Sequence, residues 1–423
     1  MQLQSSYRIH KTQDIPNGWS LTRLIDLSIV TPKYGASVPA ISKDISLPRY
    51  IRITDLDDEG HLKEKEWASI TVEDAKSYFL REGDLIFART GATVGKTYLY
   101  HKRDGRCAFA GYLIKFSLNH DLVDPVFLFY YTHSKNYWRW LRSIQTEGVQ
   151  PNVNAEQYSY MPVLIPPIKE QKKIASILSK LDEQIQKTDQ IIEQTQRLKK
   201  GLMQKLLTKG IGHKFFCQTS IGEMPVEWKV STIGSECKVG SGGTPSRRKP
   251  EYFEGNIPWV KTTELNYNVI TSTDEKISDL ALSESSAKIY PEGTLLIAMI
   301  GLEAEGTRGK CAMLGIDAAV NQACAAIQRS ANIDLHFLFY YYQTLRDKIM
   351  TFAAGSKRQN LNLEIVKSIE IPLPSLVEQH EIVLMISTID NLLQKRREQK
   401  DIIRNLKTGL MQNLLTGKIR VKI

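Results

Sequence analysis

Apolar residues recur at alternating four- and three-residue steps through Ile174, Leu178, Leu181, Ile185 and Ile192, with Thr188 and Thr195 filling the remaining steps. This spacing puts a narrow stripe on one helix face and predicts a long helix that pairs with another along a coiled-coil seam. The stripe returns at Ile382, Ile386, Ile389, Leu393 and Ile403, with Arg396 and Lys400 at the intervening steps, so the middle of the pairing is polar. The two copies, Glu170 to Thr208 and Glu378 to Thr416, align without a gap at an offset of 208 residues and share 16 of 39 positions. Neither contains proline, and each would be roughly 58 Å long as a helix.

Between and before these arms the pattern changes to short apolar runs. Strands are predicted around residues 50–54, 84–88 and 112–117, with a helix from about 125 to 142. Their counterparts lie near 258–262, 294–299, 322–328 and 334–350. The match is visible in residues: Glu82-Gly83-Asp84-Leu85-Ile86 against Glu292-Gly293-Thr294-Leu295-Leu296, and Phe127-Leu128-Phe129-Tyr130-Tyr131 against Phe337-Leu338-Phe339-Tyr340-Tyr341. Prolines (Pro166, Pro167; Pro372, Pro374) stop the chain before each arm, and glycines (Gly210, Gly212; Gly417) close it. The order is therefore domain (1–165), arm (166–212), domain (213–372), arm (373–423). Each domain is mixed α/β, and two similar domains joined by antiparallel arms would give the chain an internal pseudo-two-fold axis.

With 42% hydrophobic and 24% charged residues, the chain reads as an ordinary globular protein. No apolar run reaches the length of a membrane span and the first residues do not resemble a signal peptide, so a cytoplasmic protein is expected. Five scattered cysteines, never spaced CxxC, support neither a disulfide framework nor a zinc site. The net charge of +10 suggests nucleic acid, but it is uneven: the domains carry +2 and −1, the arms +5 and +4. Phosphate contacts in the domains would have to come from local clusters.

Several clusters qualify. Gly91 to Lys96 is one residue short of a Walker A loop, which leaves a glycine-flanked turn presenting Lys96, repeated as Gly309-Lys310. The segments Gln150-Pro151-Asn152-Val153-Asn154 and Lys357-Arg358-Gln359-Asn360-Leu361-Asn362 offer amide and guanidinium groups of the kind that read base edges, although Asn154 and Asn362 fit helix caps somewhat better. The run Arg247-Arg248-Lys249 is a phosphate candidate. No dinucleotide fingerprint, adenine-methyltransferase tetrad, metal-ligand spacing or catalytic triad is found, which favours a binding protein over an enzyme.

Taken together, the IPxxW-like starts, the Gly-Asp-Leu-Ile and Gly-Thr-Leu-Leu strands, and the doubled Glu-Gln and Leu-Lys-x-Gly-Leu-Met-Gln-x-Leu-Leu-Thr arms resemble the specificity subunit of type I restriction-modification enzymes. The resemblance covers essentially the whole chain. It implies an α+β fold with two target recognition domains separated by two long helices forming an antiparallel coiled coil, a non-catalytic chain, and a bipartite double-stranded DNA target. It further implies two modification subunits carrying S-adenosylmethionine and two restriction subunits using ATP and Mg, with no cofactor, metal or membrane bound by this chain. As DNA contacts it suggests Arg52 and Thr54 with Lys261 and Thr263, and the loops around Lys96, Lys310, Asn152 and Asn360; the residue chemistry adds Gln150, Arg247, Arg248, Lys357 and Arg358, and Arg89 and Arg308 complete the candidates without being equivalent in the two halves. For the arm interfaces it suggests Gln171, Ile174, Leu181, Leu198 and Leu202 with Gln379, Ile382, Ile389, Leu406 and Leu410. The competing reading is a coiled-coil scaffold with two domains for non-DNA ligands.

Overall fold

Both repeats fold as single uninterrupted helices, Ile168–Lys209 (the proximal arm) and Leu376–Leu414 (the distal arm). The structure is a computed structural model that describes residues 15–63, 67–145, 151–300, 309–345, 349 and 361–422. The proximal arm starts where the carbonyl of Pro167 accepts from the N–H groups of Glu170 and Gln171; the distal arm starts on Ser375, whose hydroxyl accepts from Glu378 N–H. Each ends on a left-handed glycine, Gly210 at φ +64 and Gly417 at φ +69, a conformation that costs glycine nothing. Among the described residues no helix is long and apolar enough to cross a membrane.

The compact units cut across the sequential order of domain and arm. One comprises Met1–Asp189 with Glu398–Ile423, the other Gln190–Arg397. Each unit thus contains one domain, one half of the proximal arm and the opposite half of the distal arm.

In the first unit a four-stranded antiparallel sheet runs in the order Lys33–Tyr34, Leu113–Phe116, Leu85–Ala88, Thr97–Leu99. A three-stranded sheet (Ala68–Ser69, Arg49–Ile51, Cys107–Phe109) lies beside it, and Ser20–Arg23 pairs with Pro162–Ile165. Strand Leu85–Ala88 is buried on both faces, as its unbroken apolar run requires. Leu85 and Phe87 enter the core shared with the arms, while Ile86 and Ala88 enter a second core behind the sheet. The predicted helix over 125–142 is two helices, Pro125–Tyr131 and Lys135–Ser143. The break lies at Thr132 to Ser134, where the Thr132 hydroxyl meets that of Thr97 at 2.7 Å and Ser134 caps the second helix.

The second unit repeats this plan with a larger sheet. Its order is Lys238–Ser241, Cys324–Gln328, Leu295–Ala298, Cys311–Leu314, Asn268–Ile270. Leu295 and Ile297 face the core shared with the arms, Leu296 and Ala298 the core behind. The repeated Leu-Leu near each arm's end serves the same purpose in both units: Leu206 and Leu207 pack into the second unit's core, Leu414 and Leu415 into the first unit's.

Candidate nucleic-acid interface

The polar residues that recur in the arms turn out to build a frame, repeated in each unit. Glu170, almost fully buried, accepts from the indole N–H of Trp19 at 3.3 Å and from the guanidinium of Arg420 at 2.7 and 2.8 Å. In the second unit Glu378 accepts from the indole N–H of Trp228 at 2.9 Å, from Ile211 N–H at 2.9 Å, and meets His213 Nε2 at 2.9 Å. His213 and Arg420 each lie three residues past the glycine that closes an arm. A Cβ on Gly210 would stand 2.4 Å from Glu378 and one on Gly417 would stand 2.4 Å from Pro16, so both glycines are also required by packing.

The glutamine beside each glutamate holds a domain helix by its first turn. Gln171 accepts from Asp124 N–H at 2.8 Å and donates to the carbonyls of Leu122 and Pro166. Gln379 accepts from Asp334 N–H at 2.8 Å and donates to Asn332 and Pro374. The seam is polar where the sequence placed polar residues. In the first unit Asp182 accepts from the Tyr130 hydroxyl at 2.6 Å and pairs with Lys407 at 2.5 Å. In the second, Asp390 accepts from the Tyr340 hydroxyl at 2.9 Å and pairs with Lys199 at 2.6 Å. Asp189 pairs with Lys400. Residue 182 thus faces 407, 189 faces 400, and 199 faces 390: the pairing is antiparallel within each unit.

These contacts decide which arm residues are left to engage another subunit. Gln171, Ile174, Gln379 and Ile382 are buried inside their own units and are not available, a correction to their place among docking candidates. Leu181 and Ile389 sit half-buried on the seam, and Leu202 and Leu410 pack against the cores. Leu198 and Leu406, at matching positions, remain 63% and 51% exposed.

Of the seven described basic residues suggested as DNA contacts, four have acidic partners. Arg52 pairs with Asp55 at 2.8 Å, and Asp55 also accepts from Arg52 N–H. Lys261 pairs with Glu275 at 2.9 Å, and Glu264 accepts from Lys261 N–H. The recurring basic-x-Thr-acid motif therefore closes a tight turn in each domain, which accounts for its repetition without DNA. Thr54 and Thr263 are exposed on those turns. The hydrogen bond to Glu275 holds Lys261 above the ordinary lysine range, while Arg247, then Lys261, holds Glu275 below the usual carboxylate range. Arg247 pairs with Glu275 at 2.6 Å and lies over Phe253 and Trp259.

Lys96 pairs with the exposed Asp58 at 2.7 Å. The glycine of this turn is fixed by packing: Gly95, at φ +90, would place a Cβ 2.2 Å from Leu141 and 3.0 Å from Trp138. Gly95 and Gly309 donate to the matching carbonyls Ala88 and Ala298, so the repeated Gly-Lys is a hairpin turn. Asn154 and Asn362 cap helices by accepting from Gln157 and Ile365 N–H, as their positions suggested. Gln150, Arg308, Lys357, Arg358 and Asn360 lie outside the described residues.

Among the described residues, three of the suggested cations have no acidic partner: Arg89, Arg248 and Lys310. Around Arg89 the first unit gathers a distinct surface. Arg89 follows strand Leu85–Ala88 directly; its N–H donates to Tyr112 O at 3.0 Å and its carbonyl accepts from Val153 N–H at 2.9 Å. Its guanidinium lies 4.9 Å from the centre of the Tyr34 ring. Thr90 bridges to Asn152, which is exposed, and Tyr112 is 62% exposed. Sequence reading named Arg89 and Asn152 but missed both tyrosines. The available signal was the glycine beside each, since a Cβ on Gly35 would stand 2.3 Å from two backbone carbonyls. Gly242 is its counterpart, with Val320 O at 1.7 Å.

In the second unit Met299 N–H donates to Ala323 O at 2.8 Å, which puts Met299 where the first unit has Arg89 and Ala323 where it has Tyr112. Strand pairing likewise matches Ser241 to Tyr34. Arg308 is therefore not the counterpart of Arg89.

The family description "Type I restriction modification DNA specificity domain" matches the sequence twice, over residues 31–197 and 225–402. A type I restriction enzyme specificity subunit, MjaVIII, of Methanocaldococcus jannaschii is 27% identical over 96% of this chain and 94% of its own length. The EcoR124I/EcoR124II specificity subunit of Escherichia coli is 28% identical over 41% of this chain and 43% of its own length. Among solved structures, the S subunit of a type I restriction-modification system from M. genitalium superposes with a TM-score of 0.61 at 14% identity, covering 99% of both chains. A chain from a type I R-M system, solved in a study of complex assembly, superposes at 0.56 and 19% identity over 96% of this chain. At these identities the structural likeness speaks for the fold.

Proposed function

Because this chain belongs to the family of type I restriction-modification DNA specificity subunits, we propose that it recognises a bipartite double-stranded DNA site, one half through each unit, and performs no chemistry itself. The observation that carries this reading is the contrast inside the repeat. Each unit builds the same frame of Trp, Glu, Gln, Tyr, Asp and Lys, yet at matching strand ends the two present different side chains, Arg89 with Tyr34 and Tyr112 against Met299 with Ser241 and Ala323. A duplicated frame with diverged surfaces suits two different half-sites.

In this reading two modification subunits dock on the arms, with Leu198 and Leu406 as matched apolar contacts, and bring S-adenosylmethionine to the adenines of each half-site. Two restriction subunits add ATP- and Mg-dependent cleavage. The near-neutral domains imply that the chain alone holds DNA weakly, since few phosphates would be neutralised. Lys310 and Arg248, lacking acidic partners among the described residues, are the sequence-independent contacts expected in the second unit.

The test is to map methylated adenines after co-expressing the chain with its modification subunit, and to incubate the purified chain alone with duplex DNA and a labelled methyl donor. Two short sequences at a fixed gap are expected from the first, and no incorporation from the second. Methyl transfer by the isolated chain would refute its non-catalytic role. Complex binding that neither prefers a sequence nor falls with salt would favour a scaffold for other ligands.

A further inference from the structure

We propose that Arg89 reads a guanine in the half-site of the first unit, an inference that rests on the DNA-binding function proposed above. The guanidinium is fixed from several sides. Its backbone is pinned at both N–H and carbonyl, and the residue extends one position beyond a strand with no exposed side chain. The guanidinium lies 4.9 Å from the centre of the Tyr34 ring, whose hydroxyl is itself held by accepting from Ala155 N–H at 3.0 Å. An aromatic neighbour of this kind suits arginine and leaves its outer N–H groups free to point away from the ring.

What this fixed group lacks is a partner. Nε of Arg89 is buried without a hydrogen bond, and no carboxylate of the described residues pairs with it. In the same domain Arg52, Lys96 and Lys115 are matched to Asp55, Asp58 and Asp84, and Arg49, whose Nε is also buried without a hydrogen bond, donates through its outer nitrogen to the Lys63 carbonyl. No carboxylate of the described residues therefore competes for the outer N–H groups of Arg89. A rigid planar fork with two N–H groups in parallel fits a pair of acceptors, and the major-groove edge of guanine presents such a pair in O6 and N7. A phosphate could also receive the fork. The neighbours favour the base: Tyr112 offers an exposed ring and Asn152 an exposed amide, and neither adds the positive charge that gathers around a phosphate. The second unit has Met299 at the same hydrogen-bonded position, so the contact belongs to one half-site only.

The experiment uses the complex of the full chain with its modification subunit and a set of duplexes in which each position of the site is varied in turn. Arg89→Lys keeps the charge and removes the fork; Arg89→Ala removes both. Thermal unfolding of each variant complex, unchanged from the parent, shows that the fold is kept, and Arg89→Gln serves as a second probe should Ala lower it. The expected result is that preference for guanine at a single position of one half-site falls by about ten- to a hundred-fold in all variants, while the other half-site is read as before. Uniform weakening on every duplex, restored by Lys, would assign Arg89 to phosphate and overturn the proposal. A first half-site without guanine would overturn it too. If the parent complex itself shows no sequence preference, the DNA-reading function fails and this inference with it, a result separable from the others because it precedes any substitution.

Discussion

Set side by side, the two units agree in the contacts made by the glutamates, glutamines and aspartates of the arms and differ at the ends of their matching strands. Glu170 and Glu378 each bind a tryptophan N–H, Gln171 and Gln379 each hold the start of a helix, and Asp182 and Asp390 each join a tyrosine to a lysine. Glu170, Gln171 and Gln379 are buried and the others half-buried, so a replacement leaves a partner group without its hydrogen bond; that penalty keeps the frame alike. Arg89 and Met299 occupy one backbone position with no shared chemistry. Met299 is buried in the second unit's core, whereas Arg89 is half-buried beside the exposed Tyr112, so one strand end serves packing in the second unit and faces outward in the first.

The comparison can be broken from its strongest point downward. Leu415→Ala and Leu207→Ala remove fully buried side chains from matching places, and each should lower unfolding free energy in urea by about 2–5 kcal/mol. If the frame is equivalent, the two losses agree to within about 1 kcal/mol.

A difference in pH response comes next. Burial pushes His133 of the first unit down to about 4 from 6.5, and its ring packs on Phe129 with Nδ1 at 2.8 Å from the Phe129 carbonyl. The second unit has Gln343 there, three residues past Tyr340 as His133 is past Tyr130. Between pH 6.5 and 4 the unfolded histidine binds a proton that the folded one refuses, so stability falls as pH falls through this window, by at most about 3 kcal/mol. His133→Gln should flatten that part of the stability profile, measured against the parent by urea unfolding at each pH. An unchanged slope would mean His133 takes its proton without opposing the fold.

A smaller effect separates the arm contacts. Asp182→Ala leaves the Tyr130 hydroxyl and Lys407 without their acceptor, and Asp390→Ala does the same to Tyr340 and Lys199. Each should cost about 2 kcal/mol, and the double change of Asp182 and Lys407 to Ala should cost less than the sum of the single ones.

The arms and the alternating strands were legible in the chain because period and repetition both report burial, and Leu85 to Ala88 behaves as its unbroken apolar run implied. The helix over 125–142 was read as one because its apolar pattern runs through the break; the local mark is Ser134, a helix cap, and the Thr132 hydroxyl bonds to Thr97 from another segment. The reading surface was legible only in part. Basic residues announce themselves, whereas their acidic partners come from other segments, as Asp58 does for Lys96 and Glu275 for Lys261. Tyr34 and Tyr112 resemble core aromatics in sequence, and only the folded chain shows them beside Arg89.

The account's central claim, that frame and reading surface are separable, is tested most directly by lengthening the frame alone. Seven residues inserted after Asp189 and seven after Gln399, at facing points of the antiparallel pairing, keep the heptad phase and add about 10.5 Å of helix. Methylated adenines are then mapped for the complex with its modification subunit. The account predicts the same two half-sites with the gap between them widened by about three base pairs, at 3.4 Å per pair. Altered half-sites, or an unchanged gap with activity retained, would contradict it.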